Sequence, residues 1–492
     1  MTAYTLLLLA LANFLNVADR SLLGIVVDPV KQDLGLSDTE MSIVSGTAFV
    51  LFNLVMGIFI ARWVDRGNRK LILTLGIALW SGATALTGLA HGFVSLGLTR
   101  ILVGVGEATA LPVAYSMIAD LFRAERRPRA IALFQVSTFF GLVAGSILAG
   151  VLAAAHGWRF MFMSCGIAGF LLVLMVLATM REPARVSAAS PKRLSDAHIG
   201  QAIAHLARLR GFLSLSLGTS LATMAVGALP VWAPAFLLRS HAVPLAAVGA
   251  LIGPAVGGGG IAGTLFAGWL ATRLSRRHGS EVPGLWVPIV ALPLATPFYL
   301  IYVFAPSVTV TMAAAALMNF LLATALGPCI AVAIGMAPPP MRALSSTLML
   351  LASGIIGGAL APFIVGWVSD TLTAHFGNEA LRYGLATLTP TPLLAGLLLW
   401  IARRRCWPAP GPPGASALER ARRDGEDRDD GRSAGPAGSG PRPDPSAPPN
   451  RPDRLPEPGR APSAVTECHT VDPRQADYPT NGPKAPLPKP LG

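Results

Sequence analysis

Four charged residues lie where a hydrocarbon layer would exclude them. The stretch "NFLNVADRSLLG" (13–24) sets Asp19 beside Arg20, and "RILVGVGEA" (100–108) sets Arg100 seven residues before Glu107, each inside an otherwise apolar run. A carboxylate beside a guanidinium and away from water can trade its charge for a proton as the partner moves. Seven residues are close to two helical turns, so Arg100 and Glu107 project from one face of a helix. Charges at such depth cost at least ~2.5 kcal/mol each on insertion scales and usually mark function; the plainer alternative is a static ion-pair cluster joining two helices. Glu107 is the deeper carboxylate and is flanked by Gly104 and Gly106, which leave space for water or a lipid-like ligand. It is the first candidate for a proton carrier.

The elements that must hold these charges are membrane helices. Apolar residues make up 52% of the 492 positions and charged residues 13%, a balance that a soluble core could not hide. From Tyr4 to Ile401 the chain is a succession of apolar runs, each long enough to cross a ~30 Å hydrocarbon layer as a helix. Twelve runs are expected: 4–28, 41–62, 71–90, 93–121, 128–155, 160–180, 212–238, 245–273, 284–305, 308–336, 342–369 and 380–402. The first is too long for a secretory h-region and lacks a small-residue cleavage site, so it is read as a retained helix. If it ends near Asp28, Asp19 lies ~13 Å below that end, level with Arg100 on the fourth run, and Arg20 must reach ~9 Å along the axis to meet Glu107.

The net charge of +13 resides in the loops, because the segment after Cys406 carries equal numbers of acids and bases. With the N-terminus inside, the inner loops hold 21 Lys/Arg and the outer loops four, namely Lys31, Arg159, Arg239 and Arg382. That asymmetry places both termini in the cytoplasm of a cell (inner) membrane protein and removes a nucleic-acid reading. Cys165, Cys329, Cys406 and Cys468 show neither a disulfide framework nor metal-ligand spacing, so no metal is expected.

Residues 1–180 form a first six-helix bundle, 181–211 a cytoplasmic linker, 212–405 a second bundle, and 406–492 a tail in which 20 of the 41 prolines fall, read as disordered. The basic stretch Asp196 to Arg210 is either an amphipathic helix on the inner leaflet or a solvated linker. "ARWVDRGNRK" (61–70) and "GWLATRLSRR" (268–277) lie 207 residues apart at corresponding places, as in parallel duplication of transporter halves around a midplane site. The first copy has Asp65 where the second has Thr272.

"ARWVDRGNRK" resembles the loop signature of the major facilitator superfamily, Gly-x-x-x-Asp-Arg-x-Gly-Arg-Arg/Lys; Asp65, Arg66, Arg69 and Lys70 match, while Ala61 and Asn68 replace glycine. Together with "NFLNVADRS", "RILVGVGEA", "GLSDTEMSIVSGTAF" (35–49) and "HGWRFMF" (156–162), it narrows the likeness over residues 10–180 to the Spinster-type branch. The second half resembles the superfamily only. The resemblance implies an all-α polytopic fold of two six-helix pseudo-repeats, and a cytoplasmic gate of Asp65, Arg66, Arg69 and Lys70. A carboxylate suits a helix N-terminus, and "PPPMRALSS" (338–346) begins the eleventh helix, so Asp65 is expected to dock there. It also implies that Asp19, Arg20, Arg100 and Glu107 serve substrate and proton coupling, and that lysophospholipids or sphingoid phosphates are the cargo.

"GLVAGSILAG" (141–150) partly resembles an antiporter signature, but small residues four apart also allow plain helix packing. "GPAVGGGGIAG" (253–263) lacks the Lys-Ser/Thr of a phosphate loop and reads as packing glycines. With no nucleotide site or cofactor expected, transport must draw on a gradient. The function expected is a secondary transporter, a monomer and not an enzyme, proton-coupled and moving an amphiphilic anion or lysolipid by alternating access. A drug or small organic-anion transporter of the same fold, and a non-transporting sensor or scaffold, are the alternatives.

Overall fold

The computed structural model describes residues 2–123, 126–183, 196–338 and 341–406. Residues 407–492 of the expected tail and 184–195 of the linker lie outside the described residues. Among the described residues, ten helical stretches are long and apolar enough to cross a membrane. Two of them, Arg129–Thr179 and Leu344–Cys406, run to 51 and 63 residues, twice a single crossing, and each turns at a glycine with positive φ, Gly157 (83°) and Gly377 (53°). Counting each as two gives twelve crossings. They are α1 (Thr2–Ile25), α2 (Asp38–Arg66), α3 (Arg69–Thr87), α4 (Phe93–Leu121), α5 (127–156), α6 (158–179), α7 (Phe212–His241), α8 (Leu245–His278), α9 (Val282–Phe304), α10 (Val308–Met336), α11 (342–376) and α12 (380–406).

Several helices outrun the apolar runs because polar residues close their ends. Ser37 and Glu40 form a reciprocal capping box at the start of α2, with Ser37 Oγ accepting from Glu40 N and Glu40 Oε2 from Ser37 N. Asn68, the departure from the loop signature, caps α3: its Oδ1 accepts from Leu71 N at 2.9 Å. A further helix, Asp196–Arg208, occupies the linker and buries Ala202 and Leu206.

The duplication is visible in the backbone. π-helical turns interrupt α2 at Ile43–Ala48 and α8 at Gly253–Gly258, starting 210 residues apart, close to the 207-residue offset of the loops. The helical segments also stop and restart inside α4 (Glu107 to Ala110), α7 (Gly227 to Leu229) and α10 (Leu322 to Leu326), which hold the same place in successive helix triplets. Discontinuous helices of this kind collect around midplane sites.

The small residues serve close packing. A Cβ on Gly141 would lie 2.5 Å from Phe14 O, one on Gly249 2.0 Å from Ser146 O, and one on Gly263 2.0 Å from Phe320 O, so α5 sits directly on α1, α8 on α5, and α8 on α10.

Candidate functional site

The break in α4 places Glu107 at the end of a helical segment, and the Glu107 carbonyl, which has lost its helical partner, accepts from Asn16 Nδ2 of α1 at 3.4 Å. The side chain is buried, and Arg20 Nε donates to Glu107 Oε2 at 2.6 Å. Arg20 itself is partly exposed, with its guanidinium 5.5 Å from the Phe49 ring centroid on α2. Asp19, one residue earlier, turns the other way, into the first bundle: Thr84 Oγ1 of α3 donates to its Oδ1 at 2.8 Å. Arg100 is buried, donates to Thr87 Oγ1 at 3.1 Å, and stacks 5.4 Å from the Phe162 centroid on α6. The four charges therefore share one buried cluster, with Arg20 on the side facing the second block.

Asp19 Oδ2 and Glu107 Oε1 are both buried without a hydrogen-bond partner. Each carboxylate thus has one oxygen engaged and one available.

One expectation is corrected by the packing. Gly104 and Gly106 do not open space for a ligand: a Cβ on Gly104 would lie 2.9 Å from Phe49 O, and one on Gly106 2.7 Å from Trp80 N. They let α4 approach the backbones of α2 and α3, which brings Glu107 within reach of α1. The open volume lies elsewhere. A cavity of about 270 Å³ between the blocks is lined by Arg20 and Arg100 with Ser45, Phe49, Pro230 and Gly358. A second, more apolar cavity of about 210 Å³ lies between α1, α5, α7 and α8 and includes Leu142, Leu229, Ile252 and Val256. Both are lined by Arg20 and Pro230.

Of the loop residues, Asp65 and Arg66 are exposed at the end of α2. Arg69 is buried and held within the first block, pairing with Asp120 and, at 2.7 Å, with Glu182. Lys70 donates its Nζ to Leu177 O and its backbone N–H to Glu182 Oε2. Of the segment 338–346, where Asp65 was expected to dock, residues 339 and 340 lie outside the described residues.

Sequence reasoning missed a cluster on the face opposite the termini. Arg239, at the end of α7, donates to Asp28 (Nε to Oδ1, 2.9 Å) and to Asp38 (NH1 to Oδ2, 2.7 Å). Lys31 Nζ and Ser369 Oγ also donate to Asp38, at 2.6 and 2.7 Å. Asp370 of α11 accepts from the backbone N–H groups of Asp38 and Thr39 at 2.9 and 2.7 Å. This clasp joins the short helix Val27–Leu34 that follows α1, and the start of α2, to the ends of α7 and α11. In the structure the four basic residues counted on that side each have an acidic partner: Lys31 with Asp38, Arg159 with Asp33, Arg239 with Asp28 and Asp38, and Arg382 with Glu379.

Comparison with known proteins follows the same lines. The profile of the Major Facilitator Superfamily matches residues 9–362. An "MFS-type efflux pump" of Mycolicibacterium smegmatis is 31% identical over 398 residues, covering 81% of this chain and 91% of the pump. "Protein spinster homolog 1" of Homo sapiens is 28% identical over 409 residues, with 76% and 74% covered. The crystal structure of a bacterial homolog of the human lysosomal transporter Spinster, inward-facing and unoccupied, superposes with a TM-score of 0.74 at 26% identity, covering 83% of this chain and 99% of that one. With its twelve crossings, its loop signature and its α1–α4 charge cluster, the chain belongs to the major facilitator superfamily and is a transporter of the Spinster type.

Proposed function

We propose that the chain is a proton-coupled secondary transporter that moves an amphiphilic anion or lysolipid by alternating access. The observation that carries this reading is Arg20: partly exposed, common to both inter-block cavities, and bonded to a buried carboxylate. An anionic head entering the cavity lined by Arg20 and Arg100 draws Arg20 away from Glu107. Glu107 is then buried without its counter-charge, a state that costs several kcal/mol and that a proton relieves. Anion and proton thus bind together, while the apolar cavity beside Arg20 takes the tail.

Placed with both termini in the cytoplasm, as the loop charges direct, the clasp around Asp38 closes the outer side and the chain faces inward. Asp65 and Arg66 then form the moving part of a cytoplasmic gate, and Arg69 and Lys70, fixed to Asp120 and Glu182, its base. The similarity to the mycobacterial efflux pump supports a second reading, a drug or small organic anion as cargo on the same charges.

Purified protein in proteoliposomes, given a proton gradient and a panel of lysolipids, sphingoid phosphates, drugs and organic acids, tests the proposal. Wild type should move one anionic class under the gradient, and Glu107→Gln should not, while remaining folded and inserted. Full gradient-driven transport by Glu107→Gln would falsify the coupling role.

A further inference from the structure

We propose that the rim formed on the terminal face by the start of α7, the end of α8, the start of α9 and the end of α12 is a binding site for an anionic phospholipid of the surrounding bilayer.

These helix ends carry a concentrated charge. Residues 205–213, 265–290 and 396–406 contain eight arginines (208, 210, 273, 276, 277, 403, 404 and 405) and one carboxylate, Glu281. They form a continuous arc. Cys406 Sγ reaches Arg210 O, and Gly284, in the first turn of α9, lies against Ala271 of α8. Arg403 of α12 stacks on Trp286 of α9. On the same face of the first block one cation is held differently: buried Arg69 sits between Asp120 and Glu182. On the second block the arginines meet tryptophans: Arg273 lies 5.7 Å from the Trp269 centroid, Arg403 4.3 Å from Trp286, and Arg404 3.6 Å from Trp400. A cation on an indole face is oriented but keeps its positive charge, so the arc still calls for an anion.

The order of residues along each helix names the anion's source. On α8, Leu265, Trp269 and Arg273 follow at intervals of four, hence on one face, with the first two 69% and 58% exposed. On α12 the succession is Leu397, Trp400 and Arg404. On α9, Leu294 and Val290 lead to Trp286, which Arg403 covers. Three adjacent helices thus present the same layers: exposed aliphatic surface, then indole, then guanidinium. Those are the layers of a lipid, namely acyl chain, glycerol region and phosphate. Guanidinium suits phosphate because its fork matches two oxygens at once. A soluble phosphate would meet only the last layer, which is why a phospholipid is the occupant assigned.

The test uses the full chain in nanodiscs of phosphatidylcholine, with or without one part in three of phosphatidylglycerol, and in detergent with glycerol 3-phosphate. Phosphatidylglycerol should raise the melting temperature of wild type, and the double variant Arg273→Ala/Arg404→Ala should lose most of that increment while matching wild type in phosphatidylcholine alone. An unchanged increment in the variant overturns the proposal, as does equal stabilisation of wild type by glycerol 3-phosphate. If the variant does not fold, wild type still decides: spin-labelled phosphatidylglycerol should quench tryptophan fluorescence at least twofold more than spin-labelled phosphatidylcholine. Equal quenching overturns the site.

Discussion

Asp370 caps the helix that begins at Asp38. Its two carboxylate oxygens accept the backbone N–H groups of Asp38 and Thr39, so the end of α11 holds the beginning of α2. Thr39 Oγ1 adds a third bond to the same carboxylate. A negative group at a helix N-terminus satisfies donors that have no helical partner and opposes the positive end of the macrodipole. The expected gate on the other face uses the same two helices in the reverse sense, with Asp65 at the end of α2 and its dock at the start of α11.

Removing this cap should loosen one face and not the other. Asp370→Ala is expected to cost about 1 kcal/mol of closure on that face, and Asp370→Asn less, because the amide oxygen still accepts. Spin labels at Gln32 and Asn378, one on each block near the clasp, report it through the population of the longer distance. An unaltered distribution in Asp370→Ala would show that the cap does not hold the face closed.

Arg239 should matter more. It is the cation between two carboxylates, and Arg239→Ala leaves Asp28 and Asp38 facing each other without it. A partly buried pair broken on one side costs about 3 kcal/mol, and opening the face rehydrates both acids, so the same label pair should move mostly to the long distance. High salt should narrow the difference from wild type only slightly, since Asp38 is buried.

Asn68 offers a test of local structure. Asn68→Ala should lower stability by about 1 kcal/mol through loss of the α3 cap, whereas Asn68→Gly, the residue more usual in the signature, should cost only a few tenths. Thermal unfolding of the two variants in one detergent ranks them; a larger loss for glycine would assign Asn68 some task other than capping.

Gly24 marks a close approach of the blocks beside the cavity. A Cβ there would lie 2.1 Å from the Pro230 carbonyl oxygen, so α1 and α7 must separate to admit it. Gly24→Ala should therefore slow transport severalfold with the four charges intact, and should raise the long-distance population of the Gln32–Asn378 pair. Transport at the wild-type rate would mean that α7 yields without consequence.

Much of this was legible in the residues. Apolar run length located the crossings, because a pass through the hydrocarbon layer demands about 20 largely apolar residues, and the burial cost of Asp19, Arg20, Arg100 and Glu107 singled them out. Their division of labour was not legible. Neighbouring positions on a helix point about 100° apart, and only the placement of α3 decides that Asp19 looks inward to Thr84 while Arg20 looks out to the cavity. Gly104 and Gly106 were misread for a related reason: a glycine announces close approach, but the sequence does not say whether a ligand or a backbone does the approaching. The clasp escaped because Arg239 and Asp28 are 211 residues apart, and single charges near helix ends read first as topology.

Arg20 and Pro230 line both chambers, and under the proposed transport role that shared wall would sort molecules by stiffness. A flexible chain with a charged head can bend around the wall and occupy both. A rigid planar compound can enter only one, leaving the wall unspanned, and should behave as a plug rather than a passenger.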